Sequence, residues 1–156
     1  MPTPRPRTPA SIHVAALALL LATAVQGGIA FTLSATSRVG FGQWLFAAAV
    51  MALLLWGITR GYRLGWLWGR YLAAFLAALV LVTVVFGLWT AQMRWAAAAV
   101  VLGGLVLPLG VVSVALGRPS ALRWFDLYCP KCGTAANRGR DFLFREARCV
   151  KCGNVW

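Results

Sequence analysis

The chain has four cysteines, Cys129, Cys132, Cys149 and Cys152, set in two matching runs, CPKCG and CVKCG. Two residues between paired cysteines let a tight turn aim both thiolates at one point. Gly133 and Gly153 follow the second cysteine of each pair, where a positive φ costs a glycine little and leaves amides free to point at sulfur. Sixteen residues, Gly133 to Arg148, separate the pairs, inside the range read as a two-pair zinc site. Four thiolates close a tetrahedral shell, which suits one structural Zn²⁺ and leaves no position for a reactive water. The assignment is therefore metal ligation by Cys129, Cys132, Cys149 and Cys152, with no catalytic residue, no organic cofactor and no enzymatic activity expected.

Other thiol chemistries fit less well. Two disulfides would need an oxidising compartment, which the charge pattern below opposes. Thiol–disulfide exchange by a CxxC pair belongs at a helix start in a thioredoxin-like fold, and neither pair has such a setting. Iron also accepts four thiolates, but the short insert and sparse aromatic content favour zinc. Thr134–Arg140 reads as turn and Asp141–Arg148 as a strand leading into the second pair. Phe142, Phe144, Val155 and Trp156 supply nearly all the apolar content, too little for a core without metal. Zinc binding of about 10–16 kcal/mol makes up the deficit.

With these knuckles, residues Cys129–Trp156 resemble the zinc-ribbon family. The resemblance implies a small module of short β structure built around the metal. Four residues follow Cys152 in this sequence, so the last ribbon strand is expected to be minimal. In composition the preceding part is similar to small bacterial multi-pass membrane proteins that carry such a ribbon.

What positions the cysteines is a very apolar chain. Of 156 residues, 61% are hydrophobic and 12% charged. Charged residues usually make up about 25%. Ile12–Leu33 has no charged side chain and as a helix would span about 33 Å, enough for a bilayer. Its start also carries features of a signal peptide, with Ala22-Thr23-Ala24 like a cleavage site, but the uncharged run continues past it. Further spans are expected at 41–58, 64–89 and 95–116, with Pro108 kinking the last. The connections Ser34–Gly40, Thr59–Arg63 and Thr90–Arg94 are short, which makes consecutive helices antiparallel neighbours. The expected fold is an all-α membrane protein: a basic tail at 1–11, an antiparallel four-helix transmembrane bundle at 12–117, an interfacial linker at 118–128 and a small zinc ribbon at 129–156.

Charge orients it. Lys and Arg number 15 against 3 acids, and no carboxylate side chain precedes Asp126. Arg5, Arg7, Arg60, Arg63, Arg70, Arg118 and Arg123 fall on one side of the spans, and Arg38 and Arg94 on the other. Positive charge stays inside, so both termini are expected in the cytoplasm, with the bundle in the inner (plasma) membrane. Trp44, Trp66, Trp68, Trp89 and Trp95 stand near span ends, where indole favours the headgroup layer. Arginines that punctuate apolar runs are suited to anionic headgroups, and the pattern argues against nucleic acid as a partner.

Within the spans no carboxylate is available for proton or cation coupling, and Arg70 lies close enough to a boundary to reach lipid phosphates. Gly57, Gly61, Gly65 and Gly69 recur every fourth residue, a stripe that suits either packing inside the bundle or a homo-oligomer seam. The ribbon carries six cations against Asp141 and Glu146, so a zinc–tetrathiolate module keeps a mildly positive charge. The expected function is that of a membrane-anchored adaptor whose ribbon docks a protein partner. The alternative is a small permease or channel with the ribbon as regulatory cap, and metal sensing is a weaker third reading.

Overall fold

The structure, a computed structural model, describes residues 8–34, 38–136 and 146–156. The basic tail with Arg5 and Arg7 lies outside the described residues. So does most of the expected strand, with Asp141, Phe142, Phe144 and Arg145, and the adjoining Arg138 and Arg140.

Long runs of Ala, Leu and Val form helices wherever proline is absent. Helix α1 spans Ala10–Ser34, opening where Pro9 O accepts the Ile12 amide at 2.9 Å. Helix α2 spans Arg38–Arg60 and α3 spans Arg63–Trp89. The last long rod is α4 (Trp95–Val101), a π turn (Leu102–Val106) and α5 (Leu107–Leu116). Among the described residues three helices are long and apolar enough to cross a membrane: Ala10–Ile29, Arg63–Trp89 and Trp95–Leu116. The described apolar part of α2, Leu45–Arg60, is shorter. Leu17, Phe46, Phe75, Val82 and Val114 all project outward, a surface that suits lipid better than water.

Helix α1 packs on α2 and α5, and α3 packs on the same two, so the contacts close into a ring. The glycine stripe works inside that ring. A Cβ on Gly65 would stand 2.5 Å from the Gly57 carbonyl carbon, so α2 and α3 meet backbone to backbone there. Gly69 in turn makes room for Ile58 and Leu116. The structure therefore assigns Gly57, Gly65 and Gly69 a packing role within the chain.

Pro108, expected to kink the last span, follows just after a π turn. Proline has no amide to return to the carbonyl four residues back, and its ring crowds that turn. The helix widens just before it, and the Leu107 amide bonds to Leu102 O, five residues back. Gly104 lies in this turn, where the Val25 side chain of α1 takes the space a Cβ would fill.

Two expectations about the boundary are corrected. Trp66 is fully buried inside the protein, and its Nε1 donates to Leu116 O at 2.9 Å. A free carbonyl at the end of α5 outcompetes the interface for that indole. The segment after α5 is also not an extended tether. Pro119 starts a further helix, α6 (Pro119–Trp124), as a first-turn proline can. Phe125 and Leu127, within the linker expected at the interface, are 1% and 0% exposed in the protein core.

Candidate metal centre

The two cysteine runs fold into matching knuckles. In the first, the Gly133 amide bonds to Cys129 O and the Cys129 amide to Thr134 O, both at 2.9 Å. In the second, Gly153 bonds to Cys149 O at 3.0 Å and Cys149 to Asn154 O at 2.8 Å. Gly133 and Gly153 have φ of 69° and 71°, the left-handed conformation that explains the glycine in each run. Their own amides are spent on closing the turns. The amides of the next residues, Thr134 and Asn154, are those bonded to the Cys132 and Cys152 sulfurs.

Among the described residues, short antiparallel bridges, Tyr128 with Ala135 and Arg148 with Val155, brace the knuckles. The Ala136 amide reaches Leu127 O at 2.7 Å, and Ala147 and Trp156 exchange two bonds of 2.9 and 3.1 Å. The part of the expected strand that is described is its end, Glu146–Arg148.

All four sulfurs lie within 4.8 Å of one another. The close pairs cross between knuckles: Cys129 to Cys152 at 3.6 Å and Cys132 to Cys149 at 3.3 Å. A disulfide would bring two sulfurs to about 2.05 Å, and none of the four is so joined. Metal–sulfur bonds of about 2.3 Å set tetrahedral thiolates about 3.8 Å apart. The cluster is thus already near the size of a four-thiolate shell, and Cys129, Cys132, Cys149 and Cys152 are brought together as the spacing predicts.

The thiols hold their protons unequally. The Thr134 hydroxyl, 3.4 Å from Cys132 Sγ, and the Thr134 amide draw the Cys132 thiol down to about 6. At Cys152 the Asn154 amide pulls downward, but desolvation and the neighbouring sulfurs together push the thiol up to about 12. A cation must displace the proton of Cys152, whereas Cys132 is ready to bind at neutral pH.

The module is seated on the helices. Arg63, at the start of α3, donates to Trp156 O at 2.9 Å, Asp126 O at 3.0 Å and Asp126 Oδ2 at 2.7 Å. Its guanidinium also lies 5.9 Å from the Trp156 ring centroid. Trp156 Nε1 donates to Asp126 O and Trp124 Nε1 to Ile58 O, at 3.1 and 3.2 Å. Leu127, Ala136 and Ala147 belong to the same apolar core as Ile58, Trp66 and Leu116. Sequence reading missed Arg63 and Thr134. Arg63 counted only as one charge in the orientation tally, although Asp126, the first carboxylate in the chain, was a signal that some arginine would be paired.

Compared with protein-family models, curated proteins and solved structures, the chain matches none of them. The reading of function therefore rests on the centre itself: four cysteines that could hold one metal ion, mounted on helices compatible with a membrane.

Proposed function

We propose that this chain is a multi-pass membrane protein, an antiparallel four-helix bundle carrying a zinc ribbon on its cytoplasmic side, and that the ribbon serves as a docking module. The observation that carries this reading is the convergence of four cysteine sulfurs from two matching knuckles. Zinc fits because four thiolates at this spacing satisfy its preferred tetrahedral shell. With every position taken by sulfur, the metal's role is structural and the protein is not an enzyme. The cytoplasmic assignment draws on Arg60, Arg63, Arg118 and Arg123, which lie at the end that carries the module. Docking is favoured by the knuckle tips, where Pro130, Lys131, Val150 and Lys151 are exposed and offer a mildly basic surface to a protein partner.

Metal analysis and thiol counting on protein purified in mild detergent test the centre. The expected result is about one zinc per chain with no reactive thiol until a chelator is added. Cys149→Ser should abolish metal retention and partner capture while membrane insertion is unchanged. Capture that survives this substitution would defeat the docking reading. Solute flux in proteoliposomes that disappears on chelation would instead favour a permease capped by the ribbon.

A further inference from the structure

The carboxylate available before residue 137 is Asp126, and Arg63 engages it. Two other arginines at the same end have no such neighbour among the described residues. Arg70 and Arg118 line a pocket of about 420 Å³ with Ser113, Val114 and Gly117, and among the described residues no carboxylate borders it. Arg70 is held in place: its guanidinium lies 5.7 Å from the Trp66 ring centroid and 5.9 Å from that of Tyr71. Gly117 makes room for it, since a Cβ there would stand 3.4 Å from Arg70 Cζ and Nη2. Neither Arg70 nor Arg118 has an ion-pair partner among the described residues. Two guanidinium groups on one pocket at the edge of an apolar rod suit a phosphate.

A second depression, of about 470 Å³, adjoins this pocket and shares Val114 and Arg118 with it. It runs between the start of α1 and α5, bordered by Val14, Leu107, Gly110 and Val111. Gly110 leaves it open, because nothing lies within 4 Å of the place its Cβ would take. From Leu107 to Arg118 the distance along the helix axis is about 16 Å. One leaflet of the hydrocarbon core is about 15 Å deep. An apolar trough of that length with two cations at its mouth matches the shape and charge of one lipid.

We propose that Arg70, Arg118 and the α1–α5 trough form a binding site for a single anionic phospholipid, with the phosphate between the two guanidinium groups and an acyl chain along Val14, Leu107, Gly110 and Val111. The site rests on the reading of the chain as a membrane protein, and is independent of the metal. It ties α1, α3 and α5 together at the end where the cysteine module is seated.

The test is native mass spectrometry of the full chain, delipidated in mild detergent and titrated with phosphatidylglycerol, phosphatidylcholine or inorganic phosphate. The expected result is one phosphatidylglycerol held at least tenfold more tightly than phosphatidylcholine. Arg118→Gln, on an exposed side chain, should remove most of that preference, and Arg70→Gln/Arg118→Gln all of it. Arg94→Gln, at the other end of the rod, should leave it unchanged. Gly110→Phe should weaken both lipids by filling the trough. Equal binding of the two lipids by the wild type, or an undiminished preference in the double variant, would overturn the site. Displacement of phosphatidylglycerol by millimolar inorganic phosphate, together with indifference to Gly110→Phe, would identify a free-phosphate site and refute the lipid. Release of the wild type from membranes by alkaline carbonate would defeat the membrane reading and this site with it. Retention without a lipid preference would defeat the site alone.

Discussion

Thr134 shows how one hydroxyl sets the chemistry of a four-sulfur cluster. It lies beside Cys132 and, with its amide, holds that thiol near 6, while Cys152 on the other knuckle sits near 12. The two displaced groups act on stability with opposite signs. Cys132 is lowered from 9.0, so its contribution is complete above 9.0 and disappears as the pH falls through about 6. Cys152 is raised from 9.0, so its contribution is complete below 9.0 and disappears as the pH rises through about 12. In chelator-treated protein these two thiols should make the module most stable near pH 9, as followed by Trp156 fluorescence during denaturant titration. Metal added at pH 7 should release fewer than one proton per thiol, because Cys132 is already ionised. In Thr134→Val the released protons should increase, measurable by calorimetry in buffers of different ionisation enthalpy. The cysteine cluster itself was legible from spacing alone, since a CxxCG pair leaves little freedom in where its sulfurs point. Thr134 was not, because a threonine in a turn carries no signal until the distance to a sulfur is known.

Among the elements, the helices were legible wherever apolar runs are long, and their ends were less so. In the structure α3 starts at Arg63, and the fourth rod runs from Trp95 to Leu116. The α6 helix was missed because Pro119 marks a helix end and a helix start equally well, and only burial of Ala121 and Phe125 decides between them. Trp66 was misplaced for a related reason: an indole near a span end can serve a headgroup or a helix terminus, and Leu116 O takes it. The glycine stripe left two roles open, and the 2.5 Å approach of a Gly65 Cβ to Gly57 selects intrachain packing for that pair. Gly65→Ala should therefore destabilise the protein by about 1–3 kcal/mol. Gly110→Ala, with open space around it, should be neutral or stabilise by up to about 1 kcal/mol. Thermal unfolding in detergent would distinguish the two, and equal melting temperatures would refute the close-approach argument.

On the scale of the whole molecule, the cysteine module and the helices share one core. Sequence reading separated them, because a linker of eleven residues looks like a tether when its side chains are read singly. Arg63 joins the parts through three hydrogen bonds, and its side chain is 15% exposed against 78% for Asp126. Solvent at Asp126 screens the ion pair, so Arg63→Ala should cost only about 1–2 kcal/mol, most of it from the lost hydrogen bonds. Arg63→Lys should rescue little, since an ammonium group lacks the planar fork that faces these acceptors. Hydrogen exchange is the suitable measurement: amides of Cys129–Ala136 and Ala147–Trp156 should lose protection in Arg63→Ala, while those in the middle of α1 keep theirs. Uniform loss across the chain would show that Arg63 supports the whole fold.

The seating of Trp156 and Trp124 against Arg63 and Ile58 also imposes an order on biosynthesis. Residues of the α2–α3 turn leave the ribosome long before the partners that cover them. At about 5–20 residues per second, the stretch from Leu116 to Trp156 takes roughly two to eight seconds to make. During that interval Arg63 and the Ile58 carbonyl face water, and the helices are complete but uncapped. A metal ion held by the four cysteines would be captured only after the helices are made, and chains lacking it would leave the α2–α3 turn open to proteases.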